Sequence, residues 1–267
     1  MQSPSPAPPA YFVRTATGFR ATAHTAGAWS ESEQHIAPMS GLLVHEIERA
    51  CAGDGLVLGR FGMDILGVVG VADFEVGVEV VRPGRTISLV EARATWDGRT
   101  VVVARAWRML AQDTSAVAGI EDDPLPSPDD LPRWDMAGLW PGGYIGGLDV
   151  RRDPDARPGR ATAWVRSPVG LVEGEQASDV ARWVGLVDTA NGIAVRRSPE
   201  EWLFPNVDLT VHLHRLPSGP WVGFDTRVHF GAGGVGLTDS VLHDEHGPVG
   251  RLAQVLTVRP RVPAGLG

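Results

Sequence analysis

"SDVARWVGLVDTANGIA", residues 178–194, decides how the chain is read. Val180, Trp183, Val184, Val187 and Ala190 recur at helical spacing, so the segment is expected to form an amphipathic helix. Ser178 is placed to cap it, and Asp179 puts a negative charge in its first turn. Positions 180, 184 and 188 share one face. Asp188 therefore lies along the apolar stripe, where an unpaired carboxylate is costly. Asn191 sits on the same side. A residue in that position is more often the wet edge of a stripe than a catalytic group. The functional reading is a carboxylate held in a cleft to accept a proton.

Outward from this helix, nearly everything reads as strand. A second helical stripe, "PMSGLLVHEIERAC" (38–51), lies in the first half. Strand patterns fall at 11–25, 56–69, 73–82, 85–96 and 99–110, then at 144–152, 160–168, 206–215, 220–230, 234–244 and 248–259. "WDGRT" (96–100) and "DEHGP" (244–248) read as hairpin turns. Each half thus runs from a strand or two through one helix to a series of antiparallel strands. The repeat is too long for a solenoid and predicts a duplicated domain. The expected boundaries are a first domain at 11–112, a linker at 113–143 and a second domain at 144–262. The linker is rich in Pro, Asp and Gly, with Trp134 and Trp140 to dock it. The predicted fold is α+β, a double hotdog: two antiparallel sheets, each wrapped on one long helix, fused in one chain. Pairing two such units covers the sheet edge that either alone would leave open.

Composition narrows the chemistry. The net charge of -8 argues against a nucleic-acid partner. The 24 basic residues are all arginine, which excludes lysine Schiff bases and P-loop lysines. The lone Cys51 fits a reducing compartment and cannot form an internal disulfide. No stretch approaches the roughly 18 apolar residues of a membrane helix. "MQSPSPAPPA" at the start lacks the features of a secretory signal and reads as a disordered tail, so the expected location is the cytoplasm.

Two strands carry unusual polar groups. In "LFPNVDLTVHLHR" (203–215), Val207, Leu209, Val211 and Leu213 alternate with Asp208, Thr210, His212 and His214. In "VGRLAQVLTVR" (249–259), Gln254 is the only polar side chain on a face otherwise made by Gly250, Leu252, Leu256 and Val258. A buried amide needs partners, so either a structural hydrogen bond or a site role is open to it. The two histidines lack a marked third ligand, so no metal is expected. "FGAGGVG" (230–236) lacks the strand–turn–helix setting of a dinucleotide loop. No G-x-S-x-G elbow is present, and no cofactor is expected; a hydrolase built on this chain would use water as nucleophile.

Three segments in this order resemble the second half of the acyl-CoA thioesterase II family. They are "WVGLVDTANGIA", "NVDLTVHLHRLP" (compare the family's D-H-[ST]-x-x-F-H-R-P) and "GPVGRLAQVLTVR". The resemblance puts Asp188, Thr210 and Gln254 on the family's catalytic Asp, Thr/Ser and Gln. In the first half, "EQHIAPMSGLLVHEIERA" is similar to the segment opening the family's helix. Its H-G-G-x is His35-Ile36-Ala37-Pro38 here, and Leu209 stands where the family has histidine.

The resemblance implies hydrolysis of acyl-CoA. Asp188 takes a proton from water that Thr210 and Gln254 orient, and backbone N–H groups near Pro38–Ser40 stabilise the oxyanion. The acyl chain is expected in a tunnel between helix and sheet, with Arg82 or Arg85 meeting the CoA phosphates. The competing readings are a non-catalytic acyl-binding protein on the same fold, a hotdog hydratase or dehydratase using Asp208 with His212 or His214, and a lipocalin-like barrel. Homo-oligomerisation and the choice between CoA and acyl carrier protein stay open.

Overall fold

The computed structural model describes residues 9–261. Most of the proline-rich start, and the expected end of the second domain at residue 262, lie outside the described residues. The chain runs through β1 (Ala10–Arg14), β2 (Phe19–Ala21), α1 (Ile36–Ala50), β3 (Leu56–Ile65), β4 (Asp73–Arg82), β5 (Ile87–Trp96) and β6 (Arg99–Leu110). It continues through α2 (Gly143–Gly146), β7 (Asp149–Arg152), β8 (Arg160–Arg166), β9 (Gly170–Val172), α3 (Asp179–Val187) and α4 (Ala190–Ile193). The last elements are β10 (Trp202–Leu203), β11 (Asp208–Leu213), β12 (Val222–Phe230), β13 (Val235–Asp244), β14 (Gly247–Thr257) and β15 (Arg259–Pro260).

Thirteen strands form one sheet in the order β7-β8-β12-β13-β14-β11-β3-β6-β5-β4-β2-β1-β9. The expected side-by-side pairing of two hotdog sheets is present, and it joins them into one hydrogen-bonded sheet. The seam is the antiparallel pair β3–β11, with Phe61 opposite Val211 and Gly62 opposite Thr210. The physical reason is the edge itself. Unpaired N–H and C=O groups on β3 and β11 satisfy one another, so neither strand is left as an open template. The short β9, which the sequence pattern missed, pairs in parallel with β1 and extends the far end of the sheet.

The helices cross inside the sheet. Gly41 of α1 meets Gly185 of α3 so closely that a Cβ on Gly41 would stand 2.6 Å from the Ala181 carbonyl oxygen and 2.8 Å from Gly185 Cα. Ser40 ties the crossing by donating to the Val184 carbonyl across 2.8 Å. Phe12, Leu42, Leu43, Phe61, Trp183 and Phe224 fill the core around it. Ser178 caps α3 as expected, its oxygen accepting from Ala181 N–H at 3.0 Å.

The expected helix over 178–194 is broken. α3 ends at Val187, Asp188 is its C-cap, and α4 resumes at Ala190. The break turns Asp188 and Asn191 toward different partners. The segment before α2 is docked by its two tryptophans. Trp140 is buried and donates to the Gly192 carbonyl at 3.1 Å, and Arg152 lies over the Trp134 ring at 4.3 Å.

Candidate active site

Asp188 ends α3 beneath the inner face of β14 and is 5% exposed. Its Oδ1 accepts two amide hydrogen bonds, from Gln254 Nε2 at 2.7 Å and from Asn206 Nδ2 at 2.7 Å. Burial pushes its pKa from 3.8 up to about 7, against the pull of those two donors. The C-terminal end of α3, the negative pole of the helix dipole, acts in the same direction as burial. The carboxyl is thus poised near neutrality.

Gln254 lies on the inner face of β14, fully buried. With its amide nitrogen on Asp188, its Oε1 has no partner among the described residues. A buried acceptor without a donor is uncommon.

Thr210 is not brought to this pair. It stands opposite Ala253 on β14, the residue next to Gln254. Successive residues on a strand face opposite sides, so Thr210 and Ala253 share the outer face while Gln254 points inward. Leu209 and Val211, the inward neighbours of Thr210, are fully buried. The expected partner is replaced by Asn206, which precedes β11 and also donates to the Asp208 carbonyl at 3.1 Å. Asn206 lies outside the alternating pattern of the strand that begins two residues later, so periodicity does not mark it. The signal was the residue type: an asparagine after Pro205, at a loop-to-strand junction, commonly makes side-chain hydrogen bonds to its surroundings.

His35 approaches from the first half. It caps α1, its Nδ1 accepting from Ala37 N–H at 3.1 Å. Its ring lies 4.3 Å from that of Tyr144, whose hydroxyl shares a 2.7 Å hydrogen bond with Thr189 Oγ1. Burial lowers the His35 pKa from 6.5 to about 3. His35 is therefore neutral near pH 7. Its Nδ1 and Asp188 Oδ2, 3.7 Å apart, are two acceptors facing each other and not an ion pair.

The first turn of α1 offers fewer donors than expected. Pro38 has no N–H, and that of Ala37 is taken by His35. The N–H of Ile36 makes no hydrogen bond among the described residues. Ile36, His35, Asp188 and Asn206 all line a cavity of about 290 Å³, walled also by Trp29, Gln34 and the apolar run Ile65–Val69. The cavity sits at the N-terminal end of α1 and not along a helix–sheet tunnel. A smaller lobe of about 30 Å³ adjoins it at Asp188, bounded by Trp29, Met136, Trp140, Ile145 and Gly192.

Other expected groups lie elsewhere. Arg82 closes β4, about 30 Å along the strand from the end near the cavity, and bonds the Ile87 carbonyl. His212 is exposed, while Asp208 accepts from Val255 N–H and His214 contacts the Pro248 carbonyl. None of the three lines the cavity. His45, Glu46 and Glu175 converge, but Arg14 and Arg49 neutralise them.

Two helices crossing within one long, almost wholly antiparallel sheet are the architecture of a double hotdog protein. The acyl-CoA thioesterase N-terminal domain family matches residues 25–109 and the C-terminal domain family matches residues 128–258. The chain belongs to the acyl-CoA thioesterase family. No curated protein matches its sequence significantly. An acyl-CoA thioesterase II from Mycobacterium marinum is similar in structure, with 17% identity, a TM-score of 0.65 and 96% of each chain covered. A hotdog protein of unknown function from Alicyclobacillus acidocaldarius has 14% identity and a TM-score of 0.72, over 94% of this chain and 96% of that one. The TesB protein of Mycobacterium avium subspecies paratuberculosis has 16% identity and a TM-score of 0.63, over 86% and 89%. At these identities the structural likeness speaks for the fold. No helix among the described residues is long and apolar enough to cross a membrane.

Proposed function

We propose that the protein hydrolyses acyl-CoA thioesters by direct attack of water, with Asp188 as general base. The observation that carries this is the state of Asp188: a carboxyl buried beside a cavity, bonded through one oxygen and shifted to about 7. Its second oxygen is left to meet a substrate-side water. A base working near neutral pH needs a pKa in that range.

Water donates one proton to Asp188 Oδ2 while its oxygen adds to the thioester carbonyl carbon. Asn206 and Gln254 hold the carboxyl in place, and the unpartnered Gln254 Oε1 accepts a hydrogen bond from the water's second O–H, which stays on the attacking oxygen. The carbonyl oxygen, now negative, is met by the Ile36 N–H at the positive end of α1. When the tetrahedral species collapses, the C–S bond breaks and the thiolate takes up the proton from Asp188. Free acid and CoA thiol leave, and the carboxylate is restored.

The test is release of free thiol from acyl-CoA by the purified protein. A folded protein that binds acyl-CoA without turnover would favour the non-catalytic reading and overturn this one.

A further inference from the structure

The carboxyl of Asp188 stands where two unequal lobes meet, and a thioester carbon carries two unequal arms. Both lobes touch Ala28, Trp29, His35, Asp188 and Asn206. The larger holds about 290 Å³ and is bordered by Leu66 and Val68, which are 60% and 53% exposed. The smaller holds about 30 Å³. A single water needs roughly 10–15 Å³ on that measure, so the small lobe has room for a few heavy atoms only.

Aromatic packing sets the back wall of the small lobe. Trp140 lies edge-on to Trp29 at 5.0 Å and to Phe204 at 5.8 Å, and Phe204 packs on Phe230 at 5.5 Å. The Trp140 indole is pinned by its bond to the Gly192 carbonyl. Met136 closes the same corner: a Cβ on Gly192 would come 2.6 Å from the Met136 methyl. Trp140 and Phe204 are buried and the four rings brace one another, so the wall does not yield at the cost of one rotamer.

The pantetheine arm of CoA is long and its nucleotide must remain in water. The larger lobe, bordered by the exposed Leu66 and Val68, gives such an arm room and a way out to solvent. The acyl group is then left with the small lobe. We infer that the protein is selective for short acyl groups of about two to four carbons, and that Trp140, carried by the segment connecting the two hotdog units, is the residue that sets the limit. This rests on the hydrolase reading above. Trp140 is a specificity-determining residue here, with no part in the proton transfer.

The experiment is a chain-length series, acetyl- to palmitoyl-CoA, with the full chain and free thiol as readout. For the wild type, kcat/KM should peak within two to four carbons and fall at least about 10-fold by eight, since a methylene that does not fit a tight pocket costs about 10-fold or more. Trp140→Leu should raise the octanoyl-to-butyryl ratio by about 10-fold, and Trp140→Phe by far less. Met136→Ala opens the same corner from the other side and should also raise the ratio; it serves if Trp140→Leu fails to fold. A wild type that prefers chains of eight carbons or more overturns the inference. So does an unchanged ratio in a folded variant. Failure of the wild type to cleave any member of the series is a different result: it overturns the hydrolase reading itself.

Discussion

His35 Nδ1 and Asp188 Oδ2 face each other across 3.7 Å without forming an ion pair. The imidazole nitrogen is already an acceptor for Ala37 N–H, and burial holds the ring neutral. The carboxyl is stabilised instead by two uncharged amides. A base paired with a cation would be held ionised but weak; one held by amides in a dry setting keeps its proton affinity. That choice of partners leads to the expected behaviour of several variants.

Asp188→Asn should abolish most of the hydrolysis. A positioned general base contributes about 10²–10⁴-fold, so kcat should drop by at least about 100-fold. Substrate binding should change little, because the amide occupies the same volume. Steady-state kinetics with butyryl-CoA would measure both, and retention of the full rate would remove Asp188 from its role.

The pH dependence should carry two opposite signatures of the same group. Asp188 is raised in the folded protein from 3.8 to about 7. The active base is the ionised form, so kcat/KM should climb with pH through about 7 and then level. Stability runs the other way: the folded state retains a proton that the unfolded chain has already lost. The contribution from this group is complete below about pH 4 and disappears as pH rises to about 7. Urea unfolding at pH 5 and pH 8, wild type against Asp188→Asn, isolates it; equal pH dependence in the two proteins would contradict the assignment.

Asn206 and Thr210 should part company. Asn206→Ala removes a donor from the carboxylate, which disfavours the ionised form. Its kinetic pKa should rise and the rate at pH 7 fall by about 10-fold, as befits a hydrogen bond to a charged group. Thr210→Ala acts on the outer face of the sheet and should leave kcat/KM within about 2-fold. A large loss for Thr210 with none for Asn206 would return the role to the strand.

Gly41→Ala probes the helix crossing without touching the cavity. Its methyl would press on the Ala181 carbonyl and Gly185 Cα. Overpacking of this kind costs about 1–3 kcal/mol. Thermal unfolding should show a Tm lowered by several degrees.

The legible parts of the sequence were those governed by periodicity. Val180, Trp183, Val184 and Val187 announced α3, Ser178 its cap, and the alternation of Leu209 and Val211 the buried side of β11. Asp188 and Gln254 stood out because each is a polar group in an apolar pattern, and the fold brings them to 2.7 Å. What stayed hidden depends on three-dimensional register. The pairing of Thr210 with Ala253, not with Gln254, decides which side of the sheet the hydroxyl occupies. Neither strand alone records that. Asn206 lay outside any repeating pattern, and although pairing of the two units was expected, the strands that meet, β3 and β11, are far apart in sequence and neither marks its partner.

The two central helices begin alike and end differently. His35 caps the first and Ser178 the second, yet only α3 ends in an acid that faces the cavity. At the matching distance from its own cap, α1 carries His45, which is engaged by Glu175. Two identical subunits would have been obliged to build the same centre twice. A covalently joined pair can let one copy furnish the cap while the other furnishes the acid; on the proposed reading each polypeptide then carries one such centre among its described residues and should bind one equivalent of an unreactive substrate mimic.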